Sequence, residues 1–241
     1  MISNVSYVFS IFSDYSNLSY NQGDVGRILR KFKEKDIDFV PLVFNEELQP
    51  SNTVKRMHFY CEKKLFLLAL NYDRISFSFA SAKKQGFSSE EITSLKKILL
   101  DSIKLILSLI DDRTSLPNRL SWCTSYINCE LNENEKNEFR KKFLRDISFF
   151  TKSPLDELVA RYGANRNINI NGNEEKLNVI MTVARNYLNF AKESQIEGYK
   201  IDYDINTWQG NKKGRFDFNN INEFIDKANL IQNELSEEVL L

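Results

Sequence analysis

Histidine is nearly absent from this chain of 241 residues, which contains only His58. A single histidine cannot build a histidine-rich metal site, and any Ser-His-Asp triad would depend on it alone. His58 lies in the strand-like segment KRMHFYCE, and the sequence has no GxSxG nucleophile motif. His58 and Cys61 are three residues apart, so a strand would direct them to opposite faces. We therefore expect His58 to be a structural or surface residue and not half of a Cys-His pair.

Cysteine and glycine are also scarce. The three cysteines, Cys61, Cys123 and Cys129, form no CxxC or other zinc spacing. Cys123 and Cys129 share one face of an apparent strand, but six residues at about 3.3 Å each place them roughly 20 Å apart, too far for a disulfide. Gly23 and Gly26 precede a helix without the GxGxxG or Walker spacing. The sequence predicts reduced, buried thiols and no cofactor.

The chain has no excess of charge and no long apolar run. Its 33 basic and 33 acidic residues cancel, so no global field attracts nucleic acid, membranes or acidic substrates. No segment approaches the roughly 20 apolar residues of a membrane span. The N-terminal segment MISNVSYVFSIFSDY lacks the basic region of a secretion signal. A cytoplasmic location without membrane contact is the expectation.

Aromatic and aliphatic residues are plentiful, with 18 Phe and 10 Tyr, and their spacing predicts strands and helices. Alternation from Val5 to Phe12 predicts a first strand, and Asp24 is a candidate cap for the helix that follows. Further strands are predicted at 39–44, 56–61, 64–72, 74–81, 119–131, 176–190 and 198–208. Helices are predicted at 88–111, 133–150 and 219–239, with a short one from Ser153-Pro154 to about Gly163 and a mobile loop at 164–175.

The order of these elements predicts an α+β protein of two related lobes, each an antiparallel sheet packed against helices. The N-terminal lobe would comprise residues 1–113 and the C-terminal lobe residues 114–241. One continuous domain is the alternative. Pro41 has no backbone N–H, so the strand that contains it is expected at a sheet edge.

The segment YKIDYDINTW, residues 199–208, contains two acids one residue apart in a strand pattern. Asp202 and Asp204 would share a face about 6.6 to 7 Å apart, close enough to bind a hard cation if further oxygens converge. Metal-dependent phosphoryl-transfer enzymes place acids in this way. A solvated strand face, with Lys200 as a neutralising partner, explains the same pattern. The enzyme hypothesis requires a third acidic ligand beside the pair.

Two other patterns suggest nucleic-acid chemistry. The triplet Glu174-Glu175-Lys176 has the E-x-K form seen in nucleases, although solvated charge gives the same triplet. Basic clusters occur in KKGRF, residues 212–216, and RKKFLR, residues 140–145. Together with the many aromatics, they suggest single-strand nucleic-acid binding on an open sheet face. The balanced net charge argues against that hypothesis.

Three segments carry a family resemblance: RLSWCTSYINCEL at 119–131, YKIDYDINTW at 199–208, and NELSEEVL at 233–240. They resemble, in order, the pattern RxGLRYxNRI, the pattern LDIDV and the closing helix of a sporadically distributed, functionally uncharacterised bacterial family. Trp122 and Cys123 depart from its Gly-Leu pair, and Cys129 replaces its second Arg. Members often accompany mobile elements and phage-defence loci. The resemblance implies a two-lobed α+β fold and that setting, and it assigns no catalytic residue.

Three functions follow as hypotheses. The first is a non-enzymatic component or regulator that binds another protein, or a second copy of itself, in a phage-defence or mobile-element system. The second is a metal-dependent phosphodiesterase or nuclease that uses Asp202 and Asp204. The third is a single-strand nucleic-acid binding module. A protein partner requires an exposed apolar surface, which distinguishes the first hypothesis.

Overall fold

One antiparallel sheet of nine strands organises the molecule in the computed structural model. The structure describes residues 2–18, 20–49, 52–83, 85–110, 115–129, 131–143, 159–188 and 196–240. Across the sheet the strands follow the order β2-β3-β4-β5-β1-β6-β9-β8-β7. Their bounds are Ile2–Phe12 (β1), Val40–Gln49 (β2), Asn52–Cys61 (β3), Phe66–Leu70 (β4), Arg74–Ala80 (β5), Arg119–Cys129 (β6), Val159–Ile170 (β7), Asn173–Leu188 (β8) and Ile196–Thr207 (β9).

Within the described ranges, four α-helices pack on one face of this sheet, and they confirm the α+β class. They are Gln22–Lys33 (α1), Ser89–Ile110 (α2), Glu133–Phe143 (α3) and Phe218–Leu240 (α4). Inward residues of α1, α2 and α4 join the strands in the main hydrophobic cluster. A smaller cluster packs Phe139 of α3 against Tyr199 of β9. The described residues place no helix on the opposite face, which we call the open face.

Local capping explains where two helices begin. Asn21 caps α1, because its Oδ1 accepts from the backbone N–H groups of Gly23 and Asp24. Asp24, the predicted cap, instead lies in the first turn, so that prediction was wrong. A capping box opens α2: Ser88 N–H donates to the Glu91 carboxylate at 2.8 Å, and Glu91 N–H donates to Ser88 Oγ at 3.2 Å.

A long hairpin replaces the predicted mobile loop. Residues 164–175 form the end of β7, the turn Asn171-Gly172 and the start of β8, with twelve cross-strand pairs from Val159 to Ile170. Both turn residues have positive φ, 48° and 83°, as a two-residue hairpin turn requires. Residues 159–163, predicted to end a short helix, are also strand. The predicted helical residues 144–150 and the Ser153-Pro154 start lie outside the described residues.

The sheet continues without a break from the first half of the chain into the second. β1 and β6 pair along almost their whole length at its centre, from Ile2 opposite Asn128 to Phe12 opposite Arg119. The predicted boundary at 113/114 lies within residues 111–114, which are outside the described ranges, so the division into two domains stays a prediction. In the described ranges, no helix is long and apolar enough to cross a bilayer.

Candidate functional site

The acid pair of β9 lies on the open face, as the alternation predicts. Tyr199, Ile201 and Tyr203 point to the helices and are nearly inaccessible to solvent. Asp202 and Asp204 alternate with them and are half-buried. In the ladder with β6, Asp202 lies opposite Ser125 and Asp204 opposite Cys123.

Each carboxylate is held by side chains from its own strand and from β6. Asp202 accepts a hydrogen bond of 2.6 Å from Ser125 Oγ and pairs with Lys200 Nζ at 2.9 Å. Asp204 accepts from Ser121 Oγ at 3.2 Å, Cys123 Sγ at 3.4 Å and Asn206 Nδ2 at 3.1 Å. Both carboxylates are therefore stabilised by hydrogen-bond donors of the protein, and Asp202 also by the positive charge of Lys200.

The surroundings of the pair give little support to metal or thiol chemistry. The described part of the chain contains no group of three or more His, Cys, Asp or Glu side chains placed to bind a metal ion. The third acid that the enzyme hypothesis requires is therefore missing there. Burial and the adjacent charge of Asp204 raise the pKa of the Cys123 thiol to about 12. Such a thiol stays protonated at neutral pH and is a poor nucleophile.

The triplet Glu174-Glu175-Lys176 does not form one site, because its members engage different partners. Glu175 is almost fully buried and accepts two hydrogen bonds from Arg215, at 2.7 Å from Nε and 2.9 Å from Nη2. Glu174 accepts from Asn167 Nδ2 at 2.5 Å. Lys176 places Nζ 4.4 Å from the ring centre of Trp208. The Glu175–Arg215 pair joins β8 to the loop before α4.

The predicted basic clusters are partly used inside the fold. Arg215 of KKGRF binds Glu175 and also donates to backbone carbonyls, including that of Asn118. In RKKFLR, Lys141 pairs with Glu138 on α3, and residues 144 and 145 lie outside the described ranges. Lys212 and Lys213 remain exposed. The nucleic-acid hypothesis therefore loses Arg215 as a ligand-binding group.

His58 lies on the open face of β3 beside an aromatic ring and an amide. Its ring centre is 4.2 Å from that of Phe44, and its Nε2 lies 3.4 Å from Asn71 Oδ1. Cys61 points the other way, into the main hydrophobic cluster. The predicted separation of His58 and Cys61 is confirmed. Cys61 and Cys123 are both unbridged thiols.

The edge strand β2 exposes more apolar surface than its sequence suggests. Val40, Leu42 and Val43 are 58%, 49% and 48% exposed, although VPLVF has the composition of a core strand. Val40 and Leu42 share the face of their cross-strand partners Tyr60 and His58, and Val43 shares the face of Met57. β2 pairs with β3 on one side only. The position of β2 at the end of the sheet confirms the prediction made from Pro41. Pro41 was the sequence signal that could have indicated this surface.

Comparison with known proteins assigns no family. No protein-family model matches the chain, and no curated protein matches it. The resemblance of 119–131, 199–208 and 233–240 therefore stays a prediction. Two surfaces stand out by their chemistry: the polar cluster around Asp204 on the open face, and the apolar edge of β2.

Proposed function

We propose that this protein is a non-enzymatic binding component that recognises an extended segment of another protein along the edge of β2. The exposed apolar side chains Val40, Leu42 and Val43 on an edge strand are the observation that carries the proposal. An extended peptide that pairs with such an edge gains main-chain hydrogen bonds, while side-chain contacts on the two faces give selectivity. A strand of this kind left uncovered promotes aggregation, so a partner for it also benefits solubility.

The chemistry of β2 favours a different protein over a second copy. In an antiparallel pair of two β2 strands centred on Leu42, Pro41 of each copy would lie opposite Val43 of the other. Both prolines lack an N–H donor, so two cross-strand hydrogen bonds are disfavoured in one short interface. A partner strand without proline keeps its own donors. We expect a partner with apolar residues opposite Leu42 and Val43 and a basic residue near the exposed Asp38.

A pair of lysine substitutions tests the proposal. Tagged wild-type protein and the Leu42→Lys variant are expressed in the native host, and the proteins that each retains are identified. The complex is then reconstituted from purified components. Leu230→Lys, at an exposed apolar position of α4 far from β2 in the chain, is the matched control. The partner should be lost with Leu42→Lys and kept with Leu230→Lys. A dimer that Leu42→Lys dissociates would identify a second copy as the occupant, and equal capture by all three forms would refute the edge as the binding surface.

The proposal also covers the biological system in which the protein acts and the structural relation between its two halves. The resemblance of three segments to a mobile-element and phage-defence family supports a partner from such a system. Residues 1–113 and 114–241 are proposed as related lobes, because β1 and β6 have equal length, lie side by side and each precede a helix and an antiparallel set of strands. Co-expressed as separate chains, the halves should reassemble into a soluble complex through β1 and β6.

A further inference from the structure

Cationic and aromatic side chains gather where several neighbouring strands end on the open face. Phe12, the last residue of β1, lies opposite Arg74 of β5 and opposite Arg119 of β6 in the two adjoining ladders. Both guanidinium groups approach its ring, with Cζ at 5.8 Å for Arg74 and 4.6 Å for Arg119. Each of the two strands that adjoin β1 therefore brings one guanidinium group to the Phe12 ring.

The same alternation continues on β9 and β8. Arg119 lies two residues before Ser121 and Trp208 two residues after Asn206, and Ser121 and Asn206 are cross-strand partners. Arg119 begins β6 and Trp208 directly follows the end of β9, so both lie at the same border of the sheet. The backbone N–H of Trp208 donates to the backbone carbonyl of Lys176 at 2.8 Å. The side chain of Lys176 places Nζ 4.4 Å from the Trp208 ring centre.

Together Arg74, Phe12, Arg119, Trp208 and Lys176 form what we call the cation-aromatic row. The row follows five adjacent strands, β5, β1, β6, β9 and β8. At about 4.8 Å between strands it is about 19 Å long. Trp208 is 41% exposed, so a ligand can contact its ring. No local sequence pattern links these residues, because they come from distant parts of the chain.

A hollow of about 540 Å³ lies beside the row and extends the surface that a ligand could contact. Arg74, Arg119 and Lys212 line the hollow together with Tyr72, whose side chain is exposed. Two acids also line it. Asp73 pairs with Arg74 at 3.7 Å, and hydrogen bonds from Ser16 hold the pKa of Asp14 below its usual range. Three cations against two acids leave the hollow with a net positive charge.

The acid pair confines this positive region to the border of the sheet. Asp204 lies four residues along β9 from Trp208, or about 13 Å at 3.3 Å per residue, and Asp202 lies farther away. An anionic ligand is attracted to the row and repelled by the carboxylate of Asp204, whereas Lys200 neutralises Asp202. A path across the strands is therefore favoured over a path along β9.

We infer that the cation-aromatic row binds single-stranded nucleic acid. Aromatic rings stack on unpaired bases while interleaved cations contact the backbone, a combination typical of single-strand binding surfaces. A duplex hides the base faces that the exposed rings of Trp208 and Tyr72 could contact. The site is separate from the β2 edge, and neither proposal depends on the other. The charges are local, so the zero net charge of the chain does not oppose binding at this border.

Fluorescence anisotropy with labelled oligonucleotides tests the inference. Oligo-dT and oligo-rU of about 12 nucleotides, within the range of single-strand sites, are titrated with full-length protein at low salt, and a duplex of equal length is the comparison. We expect both single strands to bind more tightly than the duplex. The affinity ratio of oligo-dT to oligo-rU then identifies DNA or RNA as the preferred form.

Substitutions at exposed residues separate the contribution of base stacking to the affinity from the contribution of charge. Trp208→Ala should weaken single-strand binding about tenfold or more, and Trp208→Phe should restore most of it because the ring is kept. Tyr162→Ala, at an exposed tyrosine of β7, is the aromatic control. Lys176→Ala should lower the steepness of the dependence of log K on log salt by about 0.7. Lys104→Ala, at an exposed lysine of α2, is the control for charge.

The expected result is loss of affinity in Trp208→Ala and Lys176→Ala and wild-type affinity in both controls. Circular dichroism must show that the variants are folded, which their exposed positions make feasible. Absence of binding at low salt overturns the inference. It is overturned equally if Trp208→Ala binds as wild type, or if the duplex binds as tightly as the single strands, since neither result is compatible with stacking on this row.

Discussion

Substitution of Gln232 should destabilise the fold by leaving buried donors without a partner. Gln232 of α4 is 1% exposed and meets three side chains of β6. Its Oε1 accepts from Trp122 Nε1 and from Thr124 Oγ1, both at 2.9 Å, and its Nε2 donates to Tyr126 Oη at 2.5 Å. This network fixes the rotation of α4 against the centre of the sheet.

The expected loss of stability follows from two buried hydrogen-bond donors that lose their acceptor. In Gln232→Leu, the Trp122 N–H and the Thr124 hydroxyl lose their acceptor in a region nearly closed to solvent. Each unpaired buried donor costs about 1–3 kcal/mol. The leucine side chain offsets part of this by apolar burial, at about 0.8 kcal/mol per CH₂. We expect the free energy of unfolding to fall by about 2–4 kcal/mol.

Urea unfolding followed by tryptophan fluorescence measures the change. Gln22→Leu, at an exposed glutamine of α1, should stay within about 0.5 kcal/mol of wild type. Thr124→Val in the Gln232→Leu background removes one orphaned donor, so the double variant should be more stable than the sum of the single changes predicts. A Gln232→Leu protein as stable as wild type would refute the reasoning, because the two donors would then have other partners.

Three further predictions concern other contacts. Arg215→Ala should lower the free energy of unfolding by about 3–5 kcal/mol, measured in urea, because it leaves the buried Glu175 carboxylate unpaired. Asp204→Asn should lower the pKa of Cys123, because the neighbouring negative charge is removed; peptide-resolved mass spectrometry should detect faster iodoacetamide labelling of Cys123 at pH 9. Gly172→Ala should lower the melting temperature and cost about 1 kcal/mol, because φ at Gly172 is +83°.

Arg215→Ala and Gly172→Ala have matched controls, and Arg215→Ala and Asp204→Asn have a defined contrary outcome. Arg166→Ala removes an exposed ion pair with Glu234 and should cost at most about 1 kcal/mol, so an equal loss in Arg166→Ala and Arg215→Ala would contradict the role of burial. Unchanged labelling of Cys123 in Asp204→Asn would show that burial alone raises its pKa. Gly163→Ala, in the same hairpin but without a positive φ, is the control for Gly172→Ala and should be nearly neutral.

The helix α2 and the central strands illustrate what local pattern predicts. The capping box at Ser88 and Glu91 and the apolar stripe that follows specify α2 almost to its ends, because both signals act within one or two turns. The alternation in YKIDYDINTW likewise predicts which side chains of β9 face the helices. Local pattern failed at 164–175, where polar asparagines concealed a hairpin. Asn171-Gly172 between alternating residues was the signal for that turn.

The sequence by itself determined the α+β class, most strand and helix positions, the edge position of Pro41 and the orientation of Asp202 and Asp204. These properties depend on side-chain period and on neighbours in the chain. Only the tertiary structure decided that nine strands join in one sheet and that Arg74, Phe12, Arg119, Trp208 and Lys176 lie in one row. Cross-strand register sets such neighbourhoods. It depends on the packing of the whole sheet against its helices, so residues far apart in sequence become adjacent without any local signal.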